Sequence, residues 1–232
     1  MRRSSLTNAA DTAFAPERHP RVAIAGLVFS LLFVVAWLLV RGSPAFDADD
    51  DELLAYYSDA GSRHATVIAG LYVIPLASIA FIWFMASARE RYIRTALRED
   101  TILSTAHVVA GALVVTSLLT LAAVELGAVW LAEVGDSIEL GGIRSLLALG
   151  EASSQIMALR SAAVFIGISV TRSVRSKVFP RSYGVLSMLT ALGLMVVYGS
   201  YPWVSMLFPA WVTATSVLIL LPRRAATTST GA

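Results

Sequence analysis

The segment ALGEASSQIMALRSAAVF, residues 148–165, carries polar side chains inside an apolar stretch. Glu151 supplies a carboxylate, Gln155 an amide and Arg160 a guanidinium. Groups of these types can share a proton, form an ion pair or hold a small cation. A charge at the centre of a membrane helix costs about 2.5 to 3.5 kcal/mol, so it indicates either a functional site or a specific partner.

A second apolar segment carries His107 and Glu125, which share one helix face because five turns of about 3.6 residues separate them. They are about 27 Å apart along the helix axis, so they cannot touch. Glu125 is expected at about the depth of Glu151. The two carboxylates could share a proton or a cation there, and the long side chain of Arg160 could reach them from about one turn deeper.

These polar residues have a structural and a functional interpretation. We expect Glu125, Glu151 and Arg160 to form an ion-pair or hydrogen-bond network that holds helices together; the alternatives are a proton or ion path and side chains that extend to the membrane interface. His107 is expected to be a packed histidine, because no second histidine lies at a matching depth to complete a haem or metal site. The sequence therefore predicts no catalytic residue, no metal and no cofactor.

The composition is that of a multi-pass membrane protein. Hydrophobic residues make up 56% of the chain, charged residues only 15%, and the mean hydropathy is +0.70. Soluble domains have about 25% charged residues. The pI near 9.1 could indicate a nucleic-acid partner, but the basic residues stand at the ends of apolar segments, where membrane orientation explains them. We therefore expect a lipid bilayer and no nucleic acid.

Six segments are apolar and long enough to span a bilayer, for which about 20 residues are needed. We expect an all-α, polytopic transmembrane bundle over residues 21–224, flanked by disordered tails at 1–20 and 225–232. The first apolar run exceeds the usual h-region of a signal peptide, so we expect it to be retained. The predicted spans are 22–40, 64–86, 102–132, 143–171, 183–199 and 203–221.

Basic and acidic residues alternate between the two sides of these spans. Arginines gather in the N-terminal tail, in 89–98, in 172–181 and after the last span, whereas acidic residues gather in 47–59 and 133–139. The positive-inside rule then places both termini in the cytoplasm. The strong preference for arginine over lysine suggests a high-GC bacterium, and hence the inner (plasma) membrane.

The loop between the first two spans is acidic and aromatic. Asp47 could cap a short helix there and Gly61 could end it, since carboxylates suit helix N-termini and glycine suits C-termini. The helix would have an apolar side that lies on the bilayer or caps the bundle; its residues are Leu53, Leu54, Tyr56 and Tyr57.

The fourth span is predicted to have polar positions on opposite faces. At 100° per residue, Glu151, Gln155 and Ser169 share one side, whereas Ser153 and Arg160 lie on the other. A helix with a lipid-facing flank would leave one set in hydrocarbon. We therefore expect this helix to be central, with neighbours on both sides.

Two stretches resemble a pattern found in uncharacterised multi-pass membrane proteins of high-GC bacteria, a domain of unknown function. These are ELLAYYSDAGSRHATVIAGLYVIPLASIAFIWFMASARERYIR and YPWVSMLFPAWVTATSVLILLPRR. The pattern is an acidic-aromatic outer segment, a helix that ends in Trp-Phe, an arginine-rich inner loop and a double-arginine end. The resemblance implies topology, and no activity.

The most economical functional hypothesis is a structural or accessory membrane protein. The alternatives are a small-solute or proton-coupled transporter that uses Glu125, Glu151, Gln155 and Arg160, and a membrane-embedded lipid-modifying enzyme. The sequence has no P-loop, GxGxxG, HExxH or GxSxG motif, so enzymatic activity is not expected. It leaves open whether the chain binds another membrane protein or a second copy of itself.

Overall fold

The structure, a computed structural model, describes residues 20–95, 101–134, 138–175, 179–197 and 203–221. The tails predicted to be disordered, 1–20 and 225–232, lie outside these ranges except for Pro20, at which the first helix begins. Throughout the described ranges the chain is helical or in short turns, without strands. The predicted all-α class is therefore confirmed.

Nine α-helices form the described part of the chain. They are α1 (Pro20–Val40), α2 (Asp50–Ser58), α3 (Ala60–Ile68), α4 (Ile74–Thr95), α5 (Thr101–Glu133), α6 (Leu140–Ser153), α7 (Leu159–Arg175), α8 (Arg181–Val196) and α9 (Leu207–Leu220). A π-helical turn, Ala69–Val73, joins α3 to α4, and a second, Ser154–Ala158, joins α6 to α7. A 3₁₀ turn, Val204–Met206, precedes α9.

Four continuous helices are long and apolar enough to cross a membrane. They are Arg21–Val40, Ala60–Glu90, Thr101–Glu133 and Leu140–Val174, and they match the first four predicted spans closely. The fifth and sixth predicted spans correspond to shorter apolar helices, Arg181–Val196 and Val204–Leu220.

Six helices pack side by side in a closed order: α1 contacts α4, followed in turn by α5, α7, α8 and α9, which returns to α1. Neighbours run antiparallel. Gly26 of α1 lies against Ser216 of α9. One turn further along α1, the Ser30 hydroxyl donates to Pro209 O at 3.0 Å, and Pro209 lies about two turns before Ser216. The other neighbouring helices of the ring also run antiparallel to each other. The start of α1 and the end of α9 therefore lie at one end of the bundle.

Aromatic rings fill the centre of this ring of helices. Phe29 of α1, Phe81 of α4, Phe165 of α7 and Phe208 of α9 are buried and contact one another, with neighbouring ring centroids 5.0 to 6.3 Å apart. Tilted and edge-on pairs at these distances add stability beyond the area that they bury. The middle of the bundle is thus a packed core.

The short helix α2 covers one end of the bundle. Its Leu53 and Tyr57 are fully buried against Val129 of α5 and Ile143 and Leu147 of α6, so part of the predicted apolar side is correct, whereas Leu54 is exposed. The predicted helix bounds were wrong. The helix begins at Asp50 and not after Asp47, and Asp59, rather than Gly61, ends it, because the Asp59 carboxylate caps α3 by accepting from Ser62 N at 2.7 Å.

The π-helical turns change which residues share a face. Pro75 follows the first turn and has no N–H for the preceding turn of helix, which favours the looser winding there. The second turn shifts the register of α7 against α6. As a result, Ser153 and Ser169, which were predicted on opposite faces, are both buried. The predicted neighbours on both sides are present, since this helix packs on α5 and α8, but it is one of six helices in the ring and not central, and its Val164 and Val174 are exposed.

Glycines allow close contact at several crossings. Gly111 of α5 lies against Met85 of α4 and Phe165 of α7, and Gly70 lies against Leu126 of α5. Small residues are the usual means of close approach between membrane helices. Gly193 of α8, by contrast, faces open space.

Candidate functional site

The five polar residues singled out from the sequence occupy separate positions in the bundle. His107 and Glu125 lie on α5, Glu151 on α6, Gln155 in the second π-helical turn and Arg160 on α7. A side chain placed on Gly150 would contact Val124, so Glu125 and Glu151 lie at one level, as expected. Gln155 contacts Glu151, whereas His107 and Arg160 bind other partners, so the five residues do not form a single cluster.

Arg160 binds the end of another helix. Its guanidinium donates to Leu194 O and to Val197 O, both at 3.0 Å. The last carbonyls of a helix lack partners within the helix, and they also carry the negative end of its dipole. Arg160 therefore satisfies the C-terminus of α8. It forms no ion pair with Glu125 or Glu151 among the described residues.

Glu151 and Gln155 contact each other across the start of the π-helical turn. The Gln155 amide Nε2 donates to Glu151 Oε1 at 3.0 Å, and both side chains are half-buried. The contact lies within one continuous helix, so it steadies that turn and does not by itself tie two helices together. The local winding, rather than a partner helix, brings these two groups into contact.

His107 is enclosed at the opposite half of the bundle. Its ring lies 4.5 Å from that of Phe165, and its Nδ1 is 3.3 Å from Ser169 Oγ. The Ser169 hydroxyl also donates to Phe165 O at 2.8 Å. His107 is thus packed between helices, as the structural interpretation expects.

A small cavity of about 10 Å³ lies beside His107. Its polar lining consists of His107, Ser169 and Thr215, and Tyr183 OH contacts Thr215 Oγ1 at 2.7 Å. A cavity needs roughly 10 to 15 Å³ to hold one water molecule. The space is therefore at most that of a single water, too small for a solute.

Glu125 has partners that sequence reasoning did not identify. Ser43, in the loop after α1, donates to Glu125 Oε2 at 3.5 Å. Tyr56 and Tyr57 of α2 lie close enough for the Glu125 carboxylate to raise their pKa values. Burial is the larger cause for both phenols, and it raises the pKa of Tyr57 strongly.

The sequence contained a signal for these partners that its interpretation overlooked. Tyr56 and Tyr57 were assigned to an apolar side of α2, although each phenol carries a hydroxyl that needs a partner when it is buried. Ser43 belongs to a loop and has no periodic pattern. The loop after α1 and helix α2 fold back over α5, and only this tertiary contact brings the hydroxyls of Ser43, Tyr56 and Tyr57 near Glu125.

Polar contacts at the opposite end of the bundle also went unrecognised. Arg172, counted from the sequence only as an orientation signal, is buried on α7, and Arg89 Nε donates to Ser104 Oγ at 2.9 Å. The Trp211 indole donates to Ser187 Oγ at 2.9 Å and links α9 to α8. These contacts join neighbouring helices directly.

The chain matches no known protein family, and no curated protein or solved structure shows significant similarity to it. The resemblance to uncharacterised membrane proteins of high-GC bacteria therefore stays a prediction. Within the described residues, no three His, Asp or Glu side chains come together as metal ligands.

Proposed function

We propose that the chain is an integral membrane protein that crosses the bacterial inner membrane six times, with both termini in the cytoplasm. We further propose that its buried polar side chains have a structural role in an accessory membrane component. The observation that carries the structural role is the guanidinium of Arg160, which binds two terminal carbonyls of α8.

The outer surface of the helices supports a lipid environment. Large apolar side chains are exposed on every long helix; examples are Leu31, Trp83, Val109, Ile156, Leu186 and Val217. Soluble monomers rarely expose contiguous apolar surface of this extent. A bilayer would cover these side chains on all sides of the bundle.

The alternating direction of the helices supports six crossings. The two shorter helices run antiparallel to each other, because Tyr183 contacts Thr215 and Ser187 contacts Trp211. The α8 helix has 16 residues, which span about 24 Å at 1.5 Å per residue, against about 30 Å of hydrocarbon. Local thinning of the bilayer accommodates such a mismatch at modest cost.

Charge at the two ends supports the orientation. Arg21, Arg89, Arg172 and Arg181 lie at the end where α1 begins and α9 finishes. The acidic helix α2 lies at the other end. Cytoplasmic loops carry the excess of arginine in membrane proteins, so the first end is assigned to the cytoplasm.

Reporter fusions test the topology. A reporter that is active only in the cytoplasm should be active when fused within 89–98 or 172–181 and inactive when fused within 134–139. Activity at 134–139, or inactivity at either arginine-rich segment, would overturn the six-crossing arrangement.

The structural role is tested with Arg160→Gln. Removing the guanidinium leaves the Leu194 and Val197 carbonyls without these donors, and hydrogen bonds to charged groups contribute about 1.5 to 3 kcal/mol each in soluble proteins and less in membranes. We expect a lower free energy of unfolding in detergent, by about 1 to 3 kcal/mol. The matched control, Arg41→Gln, changes an exposed arginine and should have almost no effect.

Thiol labelling distinguishes the structural role from the transport alternative. The chain has no cysteine, so a single cysteine introduced at Ser154 or Ala158 can be labelled without background. Both positions should resist water-soluble thiol reagents in intact membranes. Rapid labelling at both, together with an Arg160→Gln variant as stable as the parent, would favour a water-filled path.

A further inference from the structure

Ser43 Oγ lies 3.5 Å from Glu125 Oε2, and Tyr56 and Tyr57 of α2 lie close enough for this carboxylate to influence their phenols. From this arrangement we propose that the four side chains bind a monovalent alkali-metal cation at the outer end of the bundle. The cation would join the loop after α1, the covering helix α2 and the long helix α5. This site goes beyond the structural role proposed above and does not depend on it.

The first observation is a buried hydroxyl that lacks a hydrogen bond. Tyr57 is fully buried, and its OH has no hydrogen-bond partner among the described residues. The Ser43 hydroxyl lies near enough to lower the pKa of the phenol, but the two groups do not meet the distance and angle of a hydrogen bond. An unsatisfied buried hydroxyl costs about 1 to 3 kcal/mol, so a ligand that accepts its lone pairs would offset that cost.

The second observation is the spacing between Ser43 and Glu125. Their oxygens are 3.5 Å apart, at the outer limit of a hydrogen bond. Oxygen ligands stand about 2.3 to 2.6 Å from a cation of the size of Ca²⁺. Two ligands at a right angle are then roughly 3.3 to 3.7 Å apart, and Na⁺ has a similar radius. The two oxygens are already spaced as ligands of one ion.

The third observation concerns the lone pairs of Tyr56. Tyr56 OH and Thr66 Oγ1 are 2.9 Å apart, and the Thr66 hydroxyl donates to Ser62 O at 3.1 Å. Thr66 has a single proton, so Tyr56 donates to Thr66 in the arrangement in which the Thr66 proton goes to Ser62 O. The Tyr56 oxygen then keeps lone pairs for a cation.

The charge of the site favours a monovalent ion. Glu125 is the only carboxylate among the four proposed ligands, and one negative charge balances one positive charge. Calcium sites use more oxygen ligands and usually several carboxylates. The nearby Arg63 is already engaged, because it pairs with Glu133 at 3.5 Å and donates to Tyr57 O at 2.5 Å.

The position of α2 would shield the ion. Its buried side chains pack on α5 and α6, and an ion pair between Arg144 and Asp50 at 2.6 Å fixes its first turn. Arg144 also donates to Phe46 O at 2.9 Å. This cover limits the access of water to Glu125, and the lower local dielectric strengthens the attraction between a cation and the carboxylate.

The test measures thermal unfolding of the full chain in detergent, in chlorides of sodium, potassium and N-methyl-D-glucamine at equal ionic strength. Sodium or potassium should raise the Tm in a saturable manner, by about 3 to 6 °C at ten times the Kd. Glu125→Gln should abolish this rise. The exposed carboxylate of Glu52 on α2 supplies the control, and Glu52→Gln should keep the full rise.

Tyr57→Phe gives a second result that does not depend on whether Glu125→Gln folds. In N-methyl-D-glucamine chloride the variant should be at least as stable as the parent, because it loses an unsatisfied hydroxyl. In sodium or potassium chloride it should be less stable than the parent, because it loses a ligand. Equal Tm values for the parent in all three salts would overturn the proposal. So would a Tyr57→Phe variant whose Tm difference from the parent has the same sign in N-methyl-D-glucamine chloride as in sodium or potassium chloride.

Discussion

The aromatic centre of the bundle predicts a large and specific loss of stability for Phe81→Ala. The Phe81 ring is fully buried, and its centroid lies 5.0 Å from that of Phe29, 5.2 Å from Phe165, 5.5 Å from Phe208 and 6.1 Å from Phe84. Truncation of Phe81 therefore removes four aromatic contacts, three with rings of other helices and one with a ring of α4 itself.

The magnitude follows from cavity formation. Phenylalanine-to-alanine changes in cores cost about 3 to 5 kcal/mol, from lost transfer energy and from the cavity left behind. The unfolded reference of a membrane protein stays partly in an apolar medium, so the transfer part is smaller, whereas the lost dispersion contacts remain. We expect a loss at the lower end, about 3 kcal/mol.

The assay is reversible unfolding in mixed micelles, followed by tryptophan fluorescence or circular dichroism. Trp83→Ala is the matched control, because Trp83 lies on the same helix, is larger and is 65% exposed. It should lose less than about 1 kcal/mol, as surface substitutions do. A loss for Phe81→Ala no larger than that for Trp83→Ala would show that the rings do not form the core described here.

Two further predictions concern close packing and pH. Gly70→Ala should cost about 1 kcal/mol in the same assay, because the new Cβ would lie 2.8 Å from Leu126 Cγ, and overpacking outweighs the better helix propensity of alanine. Gly193→Ala, into open space, should be neutral or stabilising, and a similar loss for both would contradict this reasoning. The raised pKa of Tyr57 favours the neutral phenol in the folded state, so its contribution to stability is complete below the ordinary pKa of 10.0 and is lost as the pH rises above it. The free energy of unfolding measured against pH should fall above pH 10 and fall less in Tyr57→Phe, whereas identical slopes would refute the assignment.

The sequence predicted the long helices accurately because their signal is local. An apolar run of sufficient length becomes a helix wherever its neighbours lie, so the predicted span 102–132 agrees with Thr101–Glu133. The polar residues of the fourth span also predicted neighbours on both sides of that helix, which it has, but the predicted central position was wrong because the helix is one of six in a ring. The sequence did not predict the ends of α2. The helix ends at Asp59 and not at Gly61, because the Asp59 carboxylate accepts a hydrogen bond from Ser62 N and caps the next helix.

The partners of the polar residues were decided only by the tertiary structure. Arg160 binds carbonyls of Leu194 and Val197, which become available only where α8 ends against α7. Glu125 meets Ser43 and Tyr57 because a loop and a short helix fold back over α5. The residue types alone show that these buried polar side chains need hydrogen-bond partners, because removing a polar group from water without a partner costs free energy. Which atoms supply the partners depends on contacts between distant segments, and no local pattern encodes them.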